Sequence, residues 1–259
     1  MPPKVLIDYF PAHGSCESTD AVVAIDVIRA TTTAITAVSQ GRRCFPVTSV
    51  EAAHEIAAKL EAPLLVGELG GEKPPSFDMN NSPAALAVRT DTHRPVILLS
   101  SSGTQLLDSL RMHNPVYVAC FRNFAAIASE LKKSRLDTTL LGASTLGEFR
   151  EEDQMCCAWI ADELARSGYE PANRSTAEML VKWRGTNPDA CLAGRSANYL
   201  IQTNQLRDLR FILSSINDLN LVCWYSEGEI SAVPTHSLSC VANRTDVDLG
   251  AMGSSTANL

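Results

Sequence analysis

Four short apolar runs, each closed by a cluster of small or polar residues, constrain this chain more than any other feature. They are Ala21-Val-Val-Ala-Ile25 before Asp26, Pro63-Leu-Leu-Val66 before Gly67-Glu68, Pro95-Val-Ile-Leu-Leu99 before Ser100-Ser-Ser-Gly103, and Thr138-Thr-Leu-Leu141 before Gly142-Ala-Ser-Thr145. Their apolar residues are continuous rather than alternating, which suits strands buried on both faces of a sheet. Helical periodicity fills the gaps. Thr48-Ser-Val-Glu51 reads as a capping box opening a helix to about Leu60. Asn123 is a candidate cap for a helix carrying Phe124, Ile127 and Leu131 on one face. Met155, Trp159 and Leu164 mark another helix, which Gly168 would stop, and Leu206, Leu209, Leu213 and Ile216 mark a third. Strands alternating with helices predict a layered α/β/α fold around a largely parallel or mixed sheet. In such folds ligands bind outside the carboxyl ends of the strands, where all four polar clusters fall.

The chain has 259 residues, enough for one large domain or for two lobes sharing a cleft. Residues 1–249 read as a single α/β domain, with a lobe break placed at the charged stretch 132–137 and a mobile tail at 250–259. Residues 174–204 are less periodic and read as a loop-rich insertion or cover. The net charge of −7 argues against a nucleic-acid partner, which needs a basic face. It leaves an anionic small molecule open, because a few arginines and a divalent cation make a local positive site. No apolar run approaches the roughly 20 residues that span a bilayer, and the first ten residues lack the order of a signal peptide. Eight cysteines without a C-x-x-C pair predict free thiols in a reducing cytoplasm and no zinc site. The five histidines are scattered and carry no assigned role, and the three tryptophans read as core or cover. A homo-oligomer is compatible with all of this.

The chemistry concentrates in the polar clusters. Asp26 stands directly after a predicted strand, where a carboxylate can hold magnesium, which takes only one or two carboxylates beside water and phosphate. Arg29 can grip phosphate through its planar fork, and Thr31 and Thr32 enter a helix whose first amides favour an anion. The same residues also fit a helix cap with a salt-bridge partner. Two familiar phosphate motifs are absent: Ile28 breaks a D-x-D pattern, and no G-x-x-x-x-G-K-[ST] loop occurs. Glu68 is a second metal-facing candidate. Asn81 and Ser82 offer hydrogen bonds to an oxyanion, with Pro83 opening the next helix. Ser102, Gly103 and Thr104 could form an anion nest or an ordinary cap. Glu148 through Asp153 could supply a metal ligand or a water-orienting carboxylate, or merely an acidic first turn of a helix. Cys156 fits packing better than nucleophilic attack.

As an ordered set, these segments resemble the 2-phosphosulfolactate phosphatase family. The matching stretches are Val23-Ala-Ile-Asp26-Val-Ile-Arg29-Ala-Thr31, Phe77-Asp78-Met-Asn-Asn81-Ser82-Pro83, Ser102-Gly103-Thr104, and Gly147-Glu148-Phe149 with Asp153 and Cys156, across about residues 20 to 165. Where the family usually has T-N-G-T, this chain has Ser101-Ser102-Gly103-Thr104. The resemblance implies an α/β enzyme that uses Mg2+ to hydrolyse (R)-2-phospho-3-sulfolactate to sulfolactate and phosphate, a reaction of coenzyme M biosynthesis. Catalytic work would fall to Asp26, Arg29, Glu148 and Asp153. Thr31, Thr32, Asn81, Ser82, Ser102, Gly103 and Thr104 would bind substrate, and Asp26, Glu68 and Asp153 would hold the metal. The alternatives are a phosphatase for another phosphorylated hydroxy acid and a non-catalytic sensor of an anionic metabolite.

Overall fold

A computed structural model of the protein describes residues 1–11, 20–145 and 147–233. His13, His236, Cys16, Cys240 and the 250–259 tail lie outside the described residues. The strands in chain order are β1 (Lys4–Tyr9), β2 (Ala21–Ile25), β3 (Cys44–Val47), β4 (Leu64–Gly67), β5 (Val96–Leu99), β6 (Val116–Ala119), β7 (Thr138–Gly142), β8 (Ser144–Thr145), β9 (Glu148–Phe149), β10 (Glu170–Pro171), β11 (Cys223–Ser226) and β12 (Glu229–Ala232). The helices are α1 (Ala30–Ser39), α2 (Val50–Ala57), α3 (Pro83–Ala87), α4 (Gly103–Ser109), α5 (Phe124–Ser134), α6 (Glu151–Ala165), α7 (Arg174–Trp183), α8 (Arg195–Gln202) and α9 (Leu206–Ser214).

Ten strands form one sheet in the order β10-β1-β7-β2-β6-β11-β12-β3-β5-β4, while β8 and β9 pair separately. The layered α/β fold is present, and the sheet is mixed for a definite reason. The block from β10 to β6 is parallel, and so is the block β3-β5-β4. The hairpin of β11 and β12 joins them through antiparallel pairings.

The four predicted strands occur as β2, β4, β5 and β7, and their continuous apolar runs are explained by burial on both faces. In β2, Ala21, Val23 and Ile25 pack with α5, α6 and α7, whereas Val22 and Ala24 enter a second core with α1 and α4. In β5, Val96 and Leu98 share that second core, while Ile97 and Leu99 face Ala53 of α2 and Phe77. Residues 132–137 run from the end of α5 to the start of β7.

Several local expectations are corrected. Ser49, rather than Thr48, caps α2 by accepting from the Ala52 amide, and the helix ends at Ala57. Asn123 precedes α5 without capping it through its side chain: its Oδ1 accepts from Cys120 N, and its Nδ2 donates to Val118 O and Leu221 O. The 174–204 segment is mostly helical. Asn173 caps α7, which buries only the narrow stripe Thr176, Leu180 and Trp183, too few apolar residues for the periodicity to show in sequence.

The segments that follow β2 and β5 come together. Five strand spacings separate β2 from β5, about 24 Å in a flat sheet. Yet a Cβ built on Gly103, four residues past β5, would lie 2.3 Å from Asp26 Oδ2, one residue past β2. The turns that follow β2 and β5 therefore meet, although the three antiparallel pairings through β11 and β12 make the two parallel blocks run in opposite directions.

Candidate active site

That convergence opens a cavity of about 510 Å³, lined by Asp26 and Arg29 after β2, Glu68 after β4, and Ser100, Ser101 and Ser102 after β5. Asn81 from the loop before α3 also lines it. So do Arg150 and the α8 residues Arg195, Ser196, Tyr199 and Leu200.

Asp26 is 5% exposed. Its Oδ1 accepts weakly from Ala30 N at 3.3 Å, and the Gly103 amide also hydrogen-bonds the carboxyl. Burial pushes its pKa up to about 6; the Ala30 amide opposes this, the charge of Glu68 adds to it, and Arg29 and Gly103 oppose it further. Glu68 accepts from Ser101 N at 2.8 Å, Ser101 Oγ at 2.9 Å and Gly71 N at 2.7 Å. The serine turn is thus an anion nest whose anions are the protein's own: Ser101 serves Glu68, and Gly103 serves Asp26. This differs from the expectation that its amides face substrate. The turn instead aims two carboxylates into the cavity.

Arg29 is buried, at 5% exposure. It donates through Nη1 to Gln205 Oε1 and, at 3.1 Å, to Asp208 Oδ2. Asp208 Oδ1 also accepts from Ser82 Oγ at 2.6 Å and Ala84 N at 3.1 Å. One buried carboxylate on α9 therefore locks the guanidinium to the start of α3. The Ile28–Arg29 peptide bond is cis.

Other predicted residues fall behind this surface. Thr31 Oγ1 donates to Asp26 O and accepts from Asp26 N, and Thr104 Oγ1 closes the end of β5 in the same way on Ser100. Thr32 donates to Val27 O. These hydroxyls are buried on the backbone, so the structure does not bring Thr31, Thr32 or Thr104 to the cavity, and Ser82 is turned to Asp208. Asn81 stays on the wall, its Oδ1 accepting from Thr33 Oγ1 at 2.6 Å. Asp153 sits one layer deeper, accepting from Val27 N at 2.7 Å; burial, then Glu152, then Asp26, hold its pKa well above the carboxylate range. Its neighbour Glu152 is 1% exposed with Oε2 lacking a hydrogen-bond partner. Burial pushes Glu152 up to about 7, and the hydrogen bond from Ser196 opposes the rise. Glu148 is not on the wall but pairs with Arg150 and Arg195, which are. Burial drives the Cys156 thiol pKa far up, opposite to what a nucleophilic thiolate requires.

The donor set fits a divalent cation. Among the described residues no three histidine, cysteine or acidic side chains converge as a complete cage. Magnesium takes one or two protein carboxylates and fills its remaining positions with water and phosphate. Asp26 and Glu68 present two hard-oxygen carboxylates whose mutual repulsion a cation would relieve.

A family model described as 2-phosphosulpholactate phosphatase matches residues 10–228. The chain belongs to that family. A Thermotoga maritima relative is 33% identical over 80% of this chain and 89% of its own length. One from a Synechococcus species is 28% identical over 90% of this chain and 93% of its own. A Carboxydothermus hydrogenoformans relative is 34% identical over 62% of this chain and 68% of its own. All three carry the name "Probable 2-phosphosulfolactate phosphatase". The family match spans α8, which carries the cavity residues Arg195, Ser196 and Tyr199, and the Arg29 brace made by Gln205, just before α9, and Asp208 within it. Sequence reasoning missed all five, although Asn187 capping the 3-10 turn Pro188–Ala193 and the apolar Ala197 and Leu200 of α8 were available signals.

Proposed function

We propose that the protein hydrolyses (R)-2-phospho-3-sulfolactate to 3-sulfolactate and inorganic phosphate with magnesium. The observation that carries this reading is the family match over residues 10–228, which covers every residue of the cavity. The wall agrees in kind with phosphoryl transfer, which needs positioning and charge neutralisation more than covalent help from the protein.

Asp26 and Glu68 would hold the magnesium, which when bound supplies positive charge against the phosphoryl oxygens and the attacking oxygen. Arg29, fixed by Asp208 and Gln205, grips a phosphate oxygen, and Asn81 and Ser102 offer neutral hydrogen bonds. Water attacks phosphorus, and the bond to the C2 oxygen breaks with its electron pair on that oxygen. That oxygen takes up a proton to become the hydroxyl of 3-sulfolactate, and the attacking water gives up a proton. Glu152, linked to the cavity through Ser196 and titrating near neutrality, is the member of the 148–153 cluster placed to take it. The six buried free cysteines among the described residues support a reducing, cytoplasmic setting. Among the described residues no helix is long and apolar enough to cross a membrane.

The test is phosphate release by wild type and Asp26→Asn, each with magnesium and with chelator. Wild-type release should need the metal, and Asp26→Asn should lose about 100-fold or more in kcat. Undiminished magnesium-dependent turnover by Asp26→Asn would remove the centre of the mechanism.

A further inference from the structure

Apart from Arg29, the cavity's positive charge lies on Arg150, just before α6, and on Arg195, at the start of α8. Arg195, the first residue of α8, donates through Nη1 to both Glu148 oxygens at 2.5 and 2.6 Å. Arg150 Nη1 reaches Glu148 Oε2 at 2.7 Å. One carboxylate thus holds two guanidiniums together, and both arginines line the cavity. Arg150 is 9% exposed and the Arg195 side chain 70%, so the pair runs from a desolvated floor to the rim. Beside Arg195, Ser196 stands in the first turn of α8, where helix amides favour an anion. Tyr199 closes this wall against Gly71: a Cβ there would lie 1.9 Å from the phenol oxygen.

We propose that Arg150 and Arg195, bridged by Glu148, form the subsite that recognises the substrate's sulfonate and sets the preference for sulfonated over unsulfonated phosphoesters. The proposal rests on the phosphatase reading above and names what that reading leaves open. Two positive charges against one negative leave the triad a single excess charge. A sulfonate matches it: the group stays singly ionised wherever a protein is folded, and its three oxygens can be shared between two planar forks. Arginine keeps its charge over the same range. A methyl in that place would leave buried Arg150 against an apolar group, and a second phosphate would bring two charges where the triad offers one.

The test compares wild type, Arg195→Ala and Arg195→Lys on 2-phosphosulfolactate and 2-phospholactate in magnesium. Arg195 is exposed enough that replacing it should leave folding intact. Arg195→Ala should lose about 100-fold in kcat/KM on the sulfonated substrate and change less than about threefold on the other. The lysine, without a fork, should fall between. An equal loss on both substrates, or an unchanged preference, overturns the subsite. Calorimetric binding of 3-sulfolactate against lactate is run in parallel and needs no turnover. If wild type releases no phosphate but binds 3-sulfolactate through Arg195, the subsite stands and the phosphatase reading falls. If wild type turns over both substrates equally and binds both products equally, the phosphatase reading stands and the subsite falls.

Discussion

At the scale of single residues, the site is governed by carboxyls whose surroundings work against ionisation. Glu152 shows the consequence for stability. Its pKa rises from an ordinary 4.5 to about 7 on folding, chiefly through burial. Below about pH 4.5 both folded and unfolded chains carry the proton, and ionisation costs nothing. As pH rises toward 7 the unfolded chain releases the proton while the folded chain keeps it, so stability falls; above 7 the cost is complete, roughly 3 kcal/mol. With chelator present, the stability of Glu152→Gln relative to wild type should therefore improve by about 3 kcal/mol between pH 4 and pH 8. Urea unfolding at the two pH values measures this, and a pH-independent difference would show that Glu152 ionises freely. Asp26 was legible because a carboxylate directly after a doubly buried strand has few places to point except the sheet's carboxyl edge. Glu148 was legible as a site-region acid but not by role, because its partner Arg195 lies 47 positions away and only tertiary packing joins them.

At the scale of elements, the starts of α1 and α4 are pressed together, and Gly103 is the residue that permits it. A Cβ there would meet Asp26 Oδ2 at 2.3 Å and Ala30 Cβ at 2.5 Å. Gly103→Ala should force the two helix starts apart, cost about 1–3 kcal/mol in urea unfolding and depress phosphate release by displacing Asp26. Wild-type stability and turnover in that variant would mean the helices do not approach so closely. Doubly buried β2, β4, β5 and β7 were readable from their apolar runs. The joining hairpin was not: its turn, Glu227-Gly228, has φ of +52° and +81°, but lacks the Asn or Asp before glycine that usually marks such a turn. Strand β3 was hidden by Pro46 within it. Helix α9 was seen, but its Asp208 brace on Arg29 spans 179 positions and left no local trace.

At the scale of the whole molecule, the two parallel blocks share the core built on α1 and α4, and the turns that follow β2, β4 and β5 line one cavity. Neither block alone holds the site: Asp26 and Arg29 come from one, Glu68 and the serine turn from the other, and α8 closes the top. The arrangement places two carboxylates and a braced arginine at one wall and an arginine pair at another, as a small ester with several anionic groups would require. A non-catalytic sensor could use much of the same surface, so turnover is the deciding quantity. The most direct measurement is inorganic phosphate released per enzyme from 2-phosphosulfolactate in magnesium. The account predicts many equivalents per enzyme, abolished by chelator; stable binding of the intact ester without phosphate release would contradict it.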